Sequence, residues 1–226
     1  PAISAEQMRQ VDRIAVEETG PNLFQMMENA GRNMAKHIMK MKACDQHPTI
    51  VVLAGTGGNG GGGICAARHL ANHGFAVFLA LTHPDRLGDV PLIQRNMYQF
   101  SGGQERPLHE LPLPDIIVDA IIGYALDSKP RDRALEFIEW ANEQHCPIVS
   151  LDIPSGVNAT TGETPGNAIE PVQTITLALP KTGLLPERTG ELFLADIGIP
   201  QSIYKRIGLH TEQPFSGSYI VPIDPA

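Results

Sequence analysis

The chain has 226 residues, 42% of them hydrophobic and 19% charged, which excludes a disordered protein and suffices for one large α/β domain or two small ones. The net charge of −8, with no basic stripe, disfavours a primary nucleic-acid role. The longest apolar runs have strand length, so no membrane span is expected.

The opening PAISAEQMRQ lacks a basic start and an apolar h-region, so no secretory signal is expected, although Pro1 in place of Met leaves an upstream segment open. Cys44, Cys65 and Cys146 lack zinc-type spacing and read as reduced thiols of a cytoplasmic protein. His69 and His73 share a helix face, but without the Glu of H-E-x-x-H they read as surface histidines.

Ser4 with Gln7 forms a capping box, and Met8, Val11, Ile14 and Ala15 then recur at helical spacing until Gly20-Pro21. A second helix fits 22–40, with Leu23, Met26, Met27, Ala30, Met34 and Ile38 as a stripe for core or subunit packing. From TIVVLA (49–54) the period changes to that of a buried parallel strand. A glycine-rich loop (55–63) and a helix closed by Gly74 follow. FAVFLAL (75–81) is a strand, 88–101 a helix, DIIVDAII (115–122) a strand and RALEFIEWANEQH (133–145) a helix with Leu135, Ile138 and Trp140 available to pack. PIVSLDI (147–153), VQTITLAL (172–179) and ELFLADIG (191–198) are further strands, and the tail YIVPIDPA is an edge segment or dangles. The alternation predicts an α/β fold: a Rossmann-like three-layer αβα sandwich on a mostly parallel sheet, as a single domain over 1–226.

Ligands of such sheets bind beyond the carboxyl ends of the strands, and three strand ends carry unusual chemistry. The first is Gly55–Gly63, where backbone can approach a phosphate at a helix N-terminus. It contains G-x-G-x-x-G, but no acid ends the next strand to hold a ribose, because Asp85 comes late; a hydride-transferring dehydrogenase therefore ranks last. The second is Asp119, inside an apolar run where it needs donors or a cation, followed by a loop with Asp127, Lys129 and Arg131. Lys129 and Arg131 stand near a phosphate if that loop closes, or are simply solvated. The third is Asp152 before Pro154-Ser155-Gly156, well placed for general acid/base work. Asn59, Asp119 and Ser155 together offer an all-oxygen site for a hard cation.

Several stretches in order carry a resemblance: SAEQMRQVD (4–12), MMENAGRNMA (26–35), the glycine loop with AARHL (66–70), VDAIIG (118–123), LDIPSGV (151–157), LALPKTGLL (177–185) and ADIGIP (195–200). On these the chain resembles the NAD(P)H-hydrate epimerases, the YjeF N-terminal domain family. The resemblance implies an isomerase that interconverts the R and S epimers of hydrated NADH and NADPH (NADHX and NADPHX) in nicotinamide nucleotide repair, in a homodimer. It implies potassium (K+) held by Asn59, Asp119 and Ser155. It implies nucleotide binding by Gly58, Asn59, Gly60, Gly61 and Gly62, by Gly123, Tyr124, Ala125, Leu126, Asp127, Ser128 and Lys129, and by Asp152, which is also the catalytic candidate.

The family loop usually reads G-x-G-N-N-G-G-D-G, so Gly58 and Gly62 stand where the family has Asn and Asp. This departure leaves a second reading open: a catalytically weak or inactive member serving as a nucleotide-binding or dimeric interaction module.

Overall fold

A computed structural model describes residues 1–41, 48–211 and 214–224. Cys44 and the last two residues of the tail therefore lie outside the described residues.

In chain order the elements begin with α1 (Ala5–Ile14), α2 (Leu23–Ile38), β1 (Thr49–Ala54), α3 (Gly58–Asn72), β2 (Ala76–Leu81), α4 (Asp89–Phe100), β3 (Gln104–Glu105) and β4 (Ile116–Ala120). They continue with α5 (Asp132–Asn142), β5 (Ile148–Leu151), β6 (Gln173–Leu177), α6 (Pro186–Thr189), β7 (Glu191–Ala195), α7 (Gln201–Arg206) and β8 (Ile220–Pro222). The strands form one eight-stranded sheet in the order β3-β2-β1-β4-β5-β6-β7-β8. Every neighbouring pair is parallel except β7 with β8. This is the α/β, Rossmann-like architecture that the alternating pattern implies.

Local chemistry accounts for the helix starts. The Ser4–Gln7 capping box opens α1, and an Asn22–Gln25 box, missed in the sequence, opens α2. The first helix continues as a single π-helical turn, Ala15–Thr19, before Gly20. In the described part of the tail, Ile220–Pro222 pairs with β7 as an edge strand.

One expectation needs correcting. The residues read as a glycine loop up to Gly63 are already helical from Gly58, so only Gly55–Gly57 turn the chain. The glycines from Gly60 to Gly63 are there for close approach. A Cβ on Gly60 would sit 1.9 Å from the Gly55 carbonyl oxygen, and one on Gly63 would sit 2.4 Å from the Ala120 Cβ. The helix thus enters directly against β1 and β4.

The main core lies between the sheet and α2, α3 and α4, with Met34, Ile38, Ile64, Leu70 and Tyr98 among its buried members. A second cluster on the other face packs α5 through Phe137, Ile138 and Ala141. Trp140 and Leu135 are only partly buried, and Phe137 takes the central place.

Candidate active site

β1 has β2 on one side and β4 on the other, so the chain reverses its direction of winding between β1 and β4. A crevice opens at that point, beyond the strand ends. It has a volume of about 430 Å³ and is lined from α1 by Met8 and Asp12, from α2 by Leu23, Met26, Met27 and Ala30, and from the α3 start by Gly57, Gly58, Asn59 and Gly60. The far side is made by Ile121–Ala125, Asp152, Leu177 and Lys181. The Met-rich stripe of α2 is therefore divided: Met34 and Ile38 are core, and Met26 and Met27 wall the cleft.

Asp152 follows β5 with φ 69°, left-handed backbone that a non-glycine residue rarely adopts. The turn points its side chain into the cleft. Lys181 Nζ forms a short ion pair with Asp152 Oδ1, and both side chains are buried. Lys181 also donates to the Leu177 carbonyl at 2.7 Å, and the Leu177 N–H donates to Asp152 Oδ1 at 3.3 Å. Asp152 Oδ2 is directed toward Gly123.

Asp12 reaches the same cleft from α1 and accepts a 2.5 Å hydrogen bond from the Tyr124 hydroxyl. Burial pushes the Asp12 carboxyl above its usual range, against the opposing pull of Tyr124 and Lys181. Burial and the neighbouring carboxylates raise the Tyr124 phenol as well, so it stays a neutral donor.

Asp119 is fully buried at the end of β4. It does find donors: the Ser155 hydroxyl at 2.5 Å, the Ser155 N–H at 2.9 Å, the Ser150 hydroxyl at 2.8 Å and the Ile121 N–H at 3.2 Å. Burial still raises its carboxyl, outweighing the pull of these hydrogen bonds. Asn59 presents the opposite case. Both its Oδ1 and its Nδ2 are buried without a hydrogen-bond partner among the described residues.

The YjeF-related protein N-terminus family matches residues 23–183. The chain is 50% identical over 223 residues to an NAD(P)H-hydrate epimerase of Dehalogenimonas lykanthroporepellens, covering 97% of this chain and 91% of that one. It is 34% identical to an NAD(P)H-hydrate epimerase of Lentilactobacillus buchneri, over 88% and 94% of the two chains.

The chain belongs to the YjeF N-terminal family.

It is also 34% identical to a bifunctional NAD(P)H-hydrate repair enzyme Nnr of Salinibacter ruber, of whose length it spans 42%. The crystal structure of yeast ynu0, YNL200c, has the same fold, with a TM-score of 0.86 at 22% identity over 99% of this chain and all of that one.

In this family member the expected site residues divide into groups. Gly58, Asn59, Gly60, Gly123, Tyr124, Ala125 and Asp152 meet at the cleft. Gly61 and Gly62 do not: they are buried inside α3, where an added Cβ would meet Met27 and Leu151 respectively. Leu126, Asp127, Ser128 and Lys129 lie on the outer part of the loop, with Asp127 in an exposed pair with Arg9. Arg131 is exposed as well. Asp119 and Ser155 bond each other, and Asn59 lies beside Gly123.

Sequence reasoning missed Asp12 and Lys181. Both lie in stretches that carry the family resemblance, and for Lys181 the charge inside the otherwise apolar LALPKTGLL was the available signal.

His69 also differs from expectation. It accompanies Arg68 in binding Glu28, at 2.8 and 2.6 Å, and Cys65 lies beside them. Glu28, Cys65 and His69 offer ligand atoms within 4.8 Å of one another, but the Arg68 guanidinium supplies the cation of that cluster. The thiol is pushed up to about 12 by burial and by Glu28, so Cys65 is an unreactive buried thiol.

Proposed function

We infer that this chain is an NAD(P)H-hydrate epimerase, acting on hydrated NADH and NADPH as one domain over 1–226. The observation that carries this reading is Asp152, turned into the switch-point cleft by left-handed backbone and pinned by Lys181. Relatives of comparable length carry the epimerase name, which favours catalysis over a silent interaction module. No described helix is long and apolar enough to cross a membrane. A cytoplasmic homodimer is part of the proposal, on the family resemblance alone.

The nucleotide lies across the start of α3. The first-turn N–H groups of a helix lack partners within it, and its positive end favours the pyrophosphate. Gly57 and Gly58 leave open space there for close approach. The nicotinamide end is directed to Asp152, between Tyr124 and the apolar wall of Met26 and Met27. Epimerisation proceeds by loss of the hydroxyl from its carbon, leaving a ring cation, and addition of water to the other face. Asp152 takes or gives the proton in this exchange.

Potassium fits the oxygen-rich corner beside the cleft. The buried Asn59 Oδ1 lacks a partner among the described residues, the Ser155 hydroxyl is adjacent to Asp119, and Asp119 brings two buried carboxyl oxygens. Asn59, Asp119 and Ser155 would hold the ion, which supplies positive charge that favours an ionised Asp119 and an ordered α3 start.

The test is a time course of the R/S ratio from purified R hydrate, in water enriched in ¹⁸O, with potassium or choline as the cation. We expect inversion far faster than in buffer, with one solvent oxygen entering per inversion. A rate equal to that of buffer would sink the reading.

A further inference from the structure

Inverting a hydroxyl-bearing carbon by loss and return of water requires two proton transfers. A donor must serve the departing oxygen, and an acceptor must serve the incoming one. Asp152 is one such group, and the cleft contains a second carboxyl. Asp12 comes from α1, Asp152 from the end of β5, and both line the cleft. Their partners differ in kind. Asp152 bonds an ammonium, and Asp12 bonds a phenol. The two carboxyls also sense each other's charge, and Lys181 acts on both.

Resting on the epimerase reading, we propose that Asp12 is a second catalytic residue, working as the acid paired with Asp152 as the base, with Tyr124 positioning it.

In one direction Asp12 gives its proton to the departing hydroxyl oxygen. The C–O bond breaks with its electron pair going to oxygen, a water leaves, and the ring nitrogen lone pair fills the vacancy on carbon. A second water forms the new C–O bond on the other face with its own electron pair and passes a proton to the Asp152 carboxylate. One water has left, one has entered, and one proton has moved from Asp12 to Asp152. The opposite epimerisation moves it back. Burial raises the Asp12 carboxyl and so favours a proton there, which suits a donor.

The charged and titratable groups around Asp12 are Tyr124, Lys181 and Asp152, with Arg9 and Tyr204 farther out. The two working forms each hold one proton between the carboxyls. Their kcat/KM profiles are therefore bell-shaped with the same limbs in both directions, and the alkaline limb marks loss of that last proton. Tyr124 donates to Asp12 and pulls its pKa down, so Tyr124→Phe raises it.

The experiment measures R to S inversion in the wild type, in Asp12→Asn and in Tyr124→Phe across pH, with thermal melts of each. We expect Asp12→Asn to lose about 100-fold or more in kcat, with KM little changed, and the alkaline limb of Tyr124→Phe to move to higher pH. A folded Asp12→Asn within threefold of the wild-type kcat overturns the proposal, as does a Tyr124→Phe limb that stays in place. An inactive wild type sinks the epimerase reading and this assignment with it; an active wild type beside an active Asp12→Asn sinks this assignment alone.

Discussion

Lys181 and Asp152 form a buried ion pair that joins the segment after β6 to the end of β5, and Lys181 is only 1% exposed. Removing the ammonium leaves a carboxylate buried without its counter-charge. Breaking such a pair costs about 3–5 kcal/mol. We expect Lys181→Met to lower the melting temperature and to cut inversion by roughly 100-fold, the scale of a lost general base. Chemical denaturation and the R/S assay check the two effects separately.

The unpartnered Asn59 amide predicts a cation effect on stability. Ligand binding to the folded state alone contributes about 2.7 kcal/mol at 100 times the dissociation constant. At equal ionic strength, potassium chloride should therefore raise the melting temperature of the wild type by roughly 5 °C over choline chloride. Asn59→Ala should lose most of that difference. An equal response in both proteins would remove Asn59 from the ligand set.

Gly58 and Gly60 are both helix-start glycines, yet they should respond in opposite ways. A Cβ on Gly58 meets nothing within 4 Å, so Gly58→Asn should leave stability unchanged or raise it by a few tenths of a kcal/mol. A Cβ on Gly60 would collide with the Gly55 carbonyl, and Gly60→Ala should cost about 3 kcal/mol. Melting curves of the two variants decide this.

Glu28 ties stability to acid pH. Burial opposes its ionisation, but hydrogen bonds from Arg68, His69 and Cys65, with the charge of Arg68, outweigh burial and hold its pKa at about 2. A carboxyl depressed on folding stabilises the protein above its unfolded pKa of about 4.5 and loses that contribution as pH falls through the folded value. Wild-type stability should therefore fall between about pH 4.5 and pH 2. Glu28→Gln should be less stable at neutral pH by roughly 3 kcal/mol, because it strands Arg68, and should show a flatter acid dependence. A denaturation series across that window tests both.

The central strands β1, β4 and β5 were legible because they are buried almost throughout. TIVVLA matches β1 residue for residue, since continuous apolar runs between turns have few other uses. Pairing was not legible for Gln104–Glu105, a two-residue strand with no pattern of its own. The glycines misled in a specific way: low helix propensity made 58–63 look like loop, while the contacts that require glycine at 60–63 form only once α3 is packed in the fold. Asp152, Asn59 and Asp119 were visible as polar residues at apolar strand ends. Asp12 was not, because an acid every few residues is ordinary on an amphipathic helix, and only the approach of Tyr124 from 112 residues away distinguishes it.

The short β8 has a further consequence. It pairs with β7 along Phe193, Leu194 and Ala195, and Pro222 sits opposite Phe193. Proline lacks an N–H, so the outer side of this last strand is a poor template for another chain. Without β8, the row of β7 amides and carbonyls would be open to β strands of other molecules. Three residues near the carboxyl end thus act as protection against aggregation, a role independent of the cleft chemistry.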